Sequence, residues 1–409
     1  MLYRGMLTVF VLVVLVVGAC SDGSDRRSAV IPEVPEAPQP ASVRSIVETL
    51  ASDEYEGRDN QSPGSALARE FLYKELIQFA DPVDPDAEGI DGYLQPYANG
   101  TNVLAIIPGG DLADEYVMIG AHYDHHGRDP VSCAGMTEED DICNGATDNA
   151  TGVAATIDIV RAIVAEGTPR RSIIITLWVG EDDGLVGAQY YVENPIVPLE
   201  KTITYINFDI QGVNLLPSLR NFTILVGAET GGPNLIEAAN SAREVSNLET
   251  VMLSLLFGQG RSDHAVLARV GVPVVFLTDA NNGCYHTVKD DFAGVDFPKL
   301  DQQMITANAL TRDLIATDKT PVFDATAPLS TYNDAAELLP IVVASQADFA
   351  RFTPEQQVAS EQFLIDLQGI VDAGEAAFDN AAVGTLLGGA GALVSTLRAQ
   401  ECDPYLEDS

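Results

Sequence analysis

Six apolar runs of strand length, rich in Val, Ile and aromatic residues, punctuate the middle of this 409-residue chain, at 102–108, 116–121, 172–179, 202–208, 222–226 and 272–278. Stretches with helical spacing alternate with most of them, at 65–80, 149–166, 185–193, 234–245 and 296–317. A strand that is apolar along its whole length needs cover on both faces, and helices threaded between such strands supply it. The pattern predicts an α/β fold with a largely parallel sheet between two helical layers. After residue 321 the strand signals thin out and three or four helices are expected, including 354–374 and 381–398. That segment has the character of a helical C-terminal appendage. No internal repeat is visible.

Charge narrows the function classes. The chain carries 60 acidic and 22 basic side chains, a formal net charge of −38. Phosphate backbones repel such a surface, which excludes nucleic-acid binding through a basic groove. With 46% hydrophobic residues the chain has enough apolar content to build a core, which excludes general disorder. An acid-rich surface with few lysines suits a salty solvent, where carboxylate self-repulsion is screened.

The N-terminus reads as an address. Arg4 and an apolar run over 6–17 have the form of a secretory signal peptide, too short for a stable membrane anchor. Val17-Gly18-Ala19-Cys20 resembles a bacterial lipobox, which implies residues 1–19 as signal peptide and Cys20 as the lipidated first residue. Residues 20–41 form a Pro-rich, extended tether with Pro32, Pro35, Pro38 and Pro40. The expected address is the bacterial cell envelope, with the lipid on Cys20 as the only membrane contact. Four further cysteines, Cys133, Cys143, Cys284 and Cys402, suit two disulfides in an exported protein. Three pairings are open, and Cys133 with Cys143 is the most natural local one.

The residues that carry chemistry sit at the ends of the apolar runs. AHYDHHG (121–127) supplies His122 and Asp124, and NGATDNATG (144–152) supplies Asp148 before a helix. GEDDG (180–184) supplies Glu181 and Asp182, Asp209 follows 202–208, and His286 lies in GCYHTVKDD. Ligands of open parallel sheets bind beyond the carboxyl ends of the strands. Imidazoles and carboxylates in that place suit a pair of divalent cations: one carboxylate bridges both, and terminal ligands complete each. The donor types favour zinc, with cobalt or manganese as substitutes. His125 and His126 read as loop or outer residues. A helix N-cap explains Ser262 and Asp263 nearly as well as a site role does. The acidic run 138–141 reads as a solvated face, and Trp178 as core.

Taken together, segments 121–127, 144–152, 180–191, 205–212, 261–277 and 284–291 resemble the co-catalytic di-zinc aminopeptidase family. That family includes secreted bacterial leucine aminopeptidases and glutamate carboxypeptidases and is related to the glutaminyl cyclases. LASDEYEGRD (50–59) is similar to its usual opening. The resemblance implies a zinc-exopeptidase-like, three-layer α/β/α domain over 42–320 with a mixed, mostly parallel sheet, followed by the appendage at 321–409. It implies two zinc ions per chain, with Asp148 bridging, His122 and Asp209 completing one site, and Asp182 and His286 completing the other. Glu181 would be the general base acting on a metal-bridging hydroxide, and Asp124 would orient His122. The expected activity is removal of N-terminal residues from peptide substrates.

Two departures stand out. Glu181-Asp182 stands where the family usually has Glu-Glu, so one ligand is a methylene shorter. Residues 128–142 look like an insertion at the mouth of the site. A serine hydrolase would need a Gly-x-Ser-x-Gly elbow, which the chain lacks. Two rivals stay open: a glutaminyl cyclase using one zinc on the same scaffold, and a non-catalytic binding lipoprotein.

Overall fold

The structure, a computed structural model, describes residues 40–406. The expected signal peptide, Cys20 and the tether up to residue 39 lie outside the described residues. Eight strands form one sheet: β1 (Leu94–Tyr97), β2 (Gly100–Ile107), β3 (Leu112–His122), β4 (Arg171–Trp178), β5 (Thr202–Phe208), β6 (Phe222–Val226), β7 (Glu249–Leu253) and β8 (Val274–Thr278). Their order is β1-β2-β4-β3-β5-β8-β6-β7. The central run β4-β3-β5-β8 is parallel, as is β6 with β7, while β1/β2, β2/β4 and β8/β6 are antiparallel. The sheet is therefore mixed, with a parallel centre.

Strand periodicity explains the two covered faces. In β3, Val117, Ile119 and Ala121 join one core while Met118 joins another, and in β4 Ile173, Ile175 and Leu177 oppose Ile174 and Trp178 in the same way. Helices α1 (Val43–Leu50), α2 (Pro63–Leu76), α3 (Thr151–Ala165), α5 (Gly232–Arg243) and α7 (Phe297–Ala316) fill the first core. Helices α4 (Val186–Glu193) and α6 (His264–Arg269) fill the second. Trp178 is fully buried there, and its indole N–H donates to the Tyr205 hydroxyl at 2.8 Å.

Three helices follow residue 321: α8 (Tyr332–Ser345), α9 (Pro354–Ala373) and α10 (Asn380–Arg398). Capping boxes at Thr331/Asp334 and Thr353/Gln356 start the first two. Leu338, Ile341, Val342, Leu367 and Leu386 form a third core with Val226, Val251, Leu253 and Phe276 of β6, β7 and β8. Gly389 lets α10 approach α9, since a Cβ there would lie 1.9 Å from the Phe363 ring. Helix α10 has the length and apolar content of a membrane-crossing segment, yet Leu386, Leu393 and Leu397 are packed into this core.

Two strands carry no signal in the apolar pattern. β1 is a four-residue edge strand containing Pro96, and β7 mixes Glu249 and Thr250 with its apolar residues. Both lie at sheet edges, where one flank needs no partner.

Candidate metal centre

The carboxyl ends of the parallel strands gather the seven acids and imidazoles that the motifs supplied, Asp124 among them. His122 is the last residue of β3, Glu181 and Asp182 follow β4 by three and four residues, and Asp209 follows β5 directly. Asp148 lies in the turn before α3, and His286 lies in the loop after β8. Turns that reverse direction this sharply use left-handed backbone. Gly145 has φ +61°, and a Cβ there would stand 2.2 Å from the Asp148 carbonyl oxygen and 2.4 Å from the His125 ring. Ile210 and His286 hold φ of 61° and 56°, strain that concentrates around sites.

Asp148 sits at the middle. Its Oδ1 is 3.2 Å from His122 Nε2, and its Oδ2 is 3.2 Å from His286 Nε2. On one side, His122 Nε2 is also 3.4 Å from Asp209 Oδ1, so His122, Asp148 and Asp209 form one buried ligand group. On the other, His286 Nε2 lies 3.7 Å from Asp182 Oδ1. This second half holds more than the motifs promised. His125 Nδ1 is 3.3 Å from Asp182 Oδ2 and 3.7 Å from Asp148 Oδ2, and His126 Nε2 is 3.3 Å from Asp182 Oδ1 and 3.0 Å from His286 Nδ1. Four of the five histidines therefore meet in one cluster, and of the loop or outer place expected for His125 and His126, contact with the carboxylates fits the outer one. Their place directly after His122 and Asp124 in the same loop was the available signal.

Electrostatics at the centre are lopsided. Burial opposes charge on His122, but Asp209, Glu181, Asp124 and Asp148 hold its pKa well above the ordinary value. Burial likewise opposes Asp148, and His125, His122 and His286 outweigh it, holding the carboxyl well below the usual range. Glu181 goes the other way. Burial pushes it well up, and Asp182, Asp209 and Asp263 add to the push against the pull of His122. It lies on the wall of a cleft that Asp148, Asp209, Phe257, Phe276 and Tyr285 also line.

Three residues set the frame. Asp124 Oδ2 accepts the Gly180 N–H at 2.8 Å, which joins the His122 loop to the Glu181 loop. His122 Nδ1 faces the Asp124 carbonyl oxygen at 3.1 Å and its carboxylate at 3.6 Å, so the backbone oxygen is the nearer group orienting the ring. Asp290 accepts from the Thr147 N–H at 2.9 Å, the Thr147 hydroxyl at 2.7 Å and the Asp148 N–H at 3.1 Å. Arg58, fully buried, donates to the carbonyls of Tyr123 at 2.6 Å, Asn144 at 2.7 Å, Gly145 at 2.9 Å and Leu50. Burial lowers its pKa to about 10 despite the carboxylates around it. Sequence reading did not single out Arg58 or Asp290, although both lie inside quoted motifs.

Of the two readings open at the start of α6, the cap is not the one the structure shows. Asp263 occupies the N-cap position but makes no capping hydrogen bond, and both its oxygens are buried without a partner. Ser262 accepts from Asn207 Nδ2 at 2.7 Å instead. His264 stacks on Phe276 at 4.2 Å, and burial, helped by Arg269, lowers its pKa to about 3. It is a core residue.

The insertion does lie at the mouth. Its disulfide pairs Cys133 with Cys143, and the Ala134 N–H donates to the His286 carbonyl at 2.9 Å. The acids 138–141 are exposed, and Asp141 pairs with Arg128. The second disulfide joins Cys284, two residues before His286, to Cys402 beyond α10.

The site has relatives. A probable zinc metalloprotease from Pyrenophora teres f. teres is 32% identical over 114 residues, 28% of this chain and 23% of that one. The chain spans less than two thirds of the length of the curated relatives it matches. Among solved structures, the LapA aminopeptidase of Legionella pneumophila superposes with a TM-score of 0.53 at 17% identity, over 68% of this chain and 71% of that one. A glutaminyl cyclase of Bacteroides thetaiotaomicron does so with a TM-score of 0.51 at 17% identity, over 68% and 99%. At such identities both report a shared fold. The sequence profile of Peptidase family M28 matches residues 102–311, just over half of the chain, so the protein belongs to that family.

Proposed function

We propose that this chain is an exported di-zinc exopeptidase of the aminopeptidase type, held at the bacterial cell envelope by a lipid on Cys20. The observation that carries the two-metal reading is the shared Asp148, whose two oxygens face imidazoles of two different ligand groups, each at 3.2 Å. The donor set fits zinc. His286 Nε2, Asp182 Oδ2 and both nitrogens of His125 are buried and make no well-directed hydrogen bond, although all but His125 Nε2 lie 3.2–3.3 Å from an opposite group, a costly arrangement unless a cation satisfies it. His122, Asp148 and Asp209 would hold one ion, and Asp148, Asp182 and His286 the other. When bound, such a pair supplies a Lewis acid for the scissile carbonyl and lowers the pKa of water.

The chain's own residues do the rest. Glu181, raised in pKa and facing the cleft, takes a proton from the attacking water on its carboxylate and delivers it to the leaving amine. Asp124 and Arg58 hold the His122, Asp148 and Glu181 loops in register. The cleft beside Glu181, lined by Ile210, Phe257, Phe276 and Val394, suits an apolar side chain at the end of a peptide.

Metal content and a substrate panel on the protein test this reading. Two zinc ions per chain, loss of activity on chelation and recovery with Zn²⁺ or Co²⁺ are expected, with turnover of amino-acid p-nitroanilides. Cyclisation of Gln-peptides with no p-nitroanilide turnover would make the protein a cyclase instead. Labelling with a radioactive fatty acid that survives Cys20→Ser would remove the lipid anchor.

A further inference from the structure

In a chain with 60 acids, arginines find carboxylates easily, and most here do. Arg128, Arg161, Arg170, Arg171, Arg243, Arg312 and Arg351 each have a carboxylate within 4.0 Å. Arg261, Arg269 and Arg398 have none among the described residues. All three are exposed, and they come from three separate places: the loop after β7, the end of α6 and the end of α10. They nevertheless line one open trough, together with Glu181, Asp182 and His286. Helix C-termini favour cations, which accounts for the residue type at 269 and 398. It does not account for Arg261, nor for three unpaired guanidiniums converging on one trough of a strongly acidic protein.

The trough adjoins the cleft beside Glu181 and shares Glu181, Arg261 and Tyr285 with it. If that cleft takes the terminal side chain, the trough receives the part of the peptide beyond the scissile bond. Arg398 is held there firmly. Its guanidinium lies 4.6 Å from the centre of the Tyr285 ring, which stacks on His286 at 3.7 Å, and the Cys284–Cys402 disulfide fastens the chain four residues further on.

We propose that Arg261, Arg269 and Arg398 form a carboxylate-binding rim on the leaving-group side of the cleft, so that α10 is part of the substrate site. The substrates it favours carry a carboxylate just beyond the scissile bond, as the free terminus of a dipeptide or as an acidic side chain. Guanidinium matches carboxylate geometry with paired N–H donors. The inference rests on the aminopeptidase reading for which side is the leaving group.

The test compares kcat/KM of the zinc-loaded protein for Leu-Ala, Leu-Ala-amide and Leu-Asp-amide. A preference of about tenfold for a carboxylate-bearing substrate over Leu-Ala-amide is expected, carried mainly by KM, and it should shrink at high salt. Arg398→Ala should collapse the ratio towards one and Arg398→Lys should keep part of it. A gain confined to Leu-Ala assigns the rim to a terminal carboxylate, and a gain shared by Leu-Asp-amide extends it to acidic side chains. Equal rates for all three substrates overturn the proposal, as does an Arg398→Ala variant that loses acids and amides alike. Calorimetric titration with reduced-bond Leu-Ala and its amide reads the same discrimination without turnover. A protein that cleaves none of the peptides but binds the free acid more tightly defeats the aminopeptidase reading and leaves the rim standing; equal binding of the two defeats the rim.

Discussion

The strand ends that carry the acids and histidines and the helices beyond residue 321 are held together by different forces. Around the centre, buried polar groups hold loops in place: Arg58 bonds four carbonyls, and Asp290 three donors. Several side chains there, including Asp182, Asp263 and His286, bury polar atoms that make no well-directed hydrogen bond. Among the described residues, no such atom occurs after His286. The C-terminal helices are joined by leucines and by capping boxes instead. Unsatisfied polarity is tolerated where a site needs it and avoided where packing alone is at stake.

The sharpest way to break this contrast is Glu181→Gln. Removing a general base should lower kcat by about 10²–10⁴-fold while leaving the unfolding midpoint nearly unchanged. A variant retaining more than a few per cent of turnover would deprive Glu181 of that role. Next comes Arg58→Ala, which strands four buried carbonyls and opens a hole between three loops. A stability loss of about 3–5 kcal/mol is expected in urea unfolding, with weaker zinc affinity. A loss below about 1 kcal/mol would mean that the loops hold themselves.

Smaller effects belong to the helical region. Cys402→Ser should lower stability by about 2–4 kcal/mol, since the bond closes a loop of 118 residues. It should also loosen α10, so hydrogen exchange there should rise while the parallel strands stay protected. Smallest is Glu229→Gln. Burial raises the Glu229 pKa to about 7, against the pull of the Leu255 N–H that it accepts at 2.6 Å, beside the start of α8. An acid raised on folding stabilises below its unfolded pKa, near 4.5, and loses that contribution as pH rises through about 7. The variant should therefore be more stable than wild type at pH 8, by up to about 2 kcal/mol, and no different at pH 4.5. Equal stability at both pH values would show that Glu229 stays solvated.

Much of the strand-end chemistry was legible because a short motif keeps its place relative to its own strand. His122 terminates β3 and Asp209 follows β5, whatever the sheet order is. The parallel centre was legible too, from unbroken apolar runs such as SIIITLW in β4, while β1 and β7 were not, because edge strands are short and carry Pro96 or Glu249. His125 and His126 stay loop or outer residues on sequence alone, since nothing local says which way a loop imidazole turns. For Asp263 a cap and a site role stayed open, because a Ser-Asp pair before a helix is a common N-terminus; in the fold it is buried and makes no capping bond.

By itself, then, the sequence determined the residue types of the centre, the strands they terminate and the apolar period of each element. These are local properties, set within a few residues by side-chain chemistry and backbone spacing. Only the tertiary structure decided that Asp148 lies between His122 and His286, that Arg58 ties three loops together and that Arg398 stands beside Tyr285. Those contacts join residues tens to hundreds of positions apart. They depend on strand order and on how the helices after residue 321 pack against β6 and β7, which no local pattern specifies.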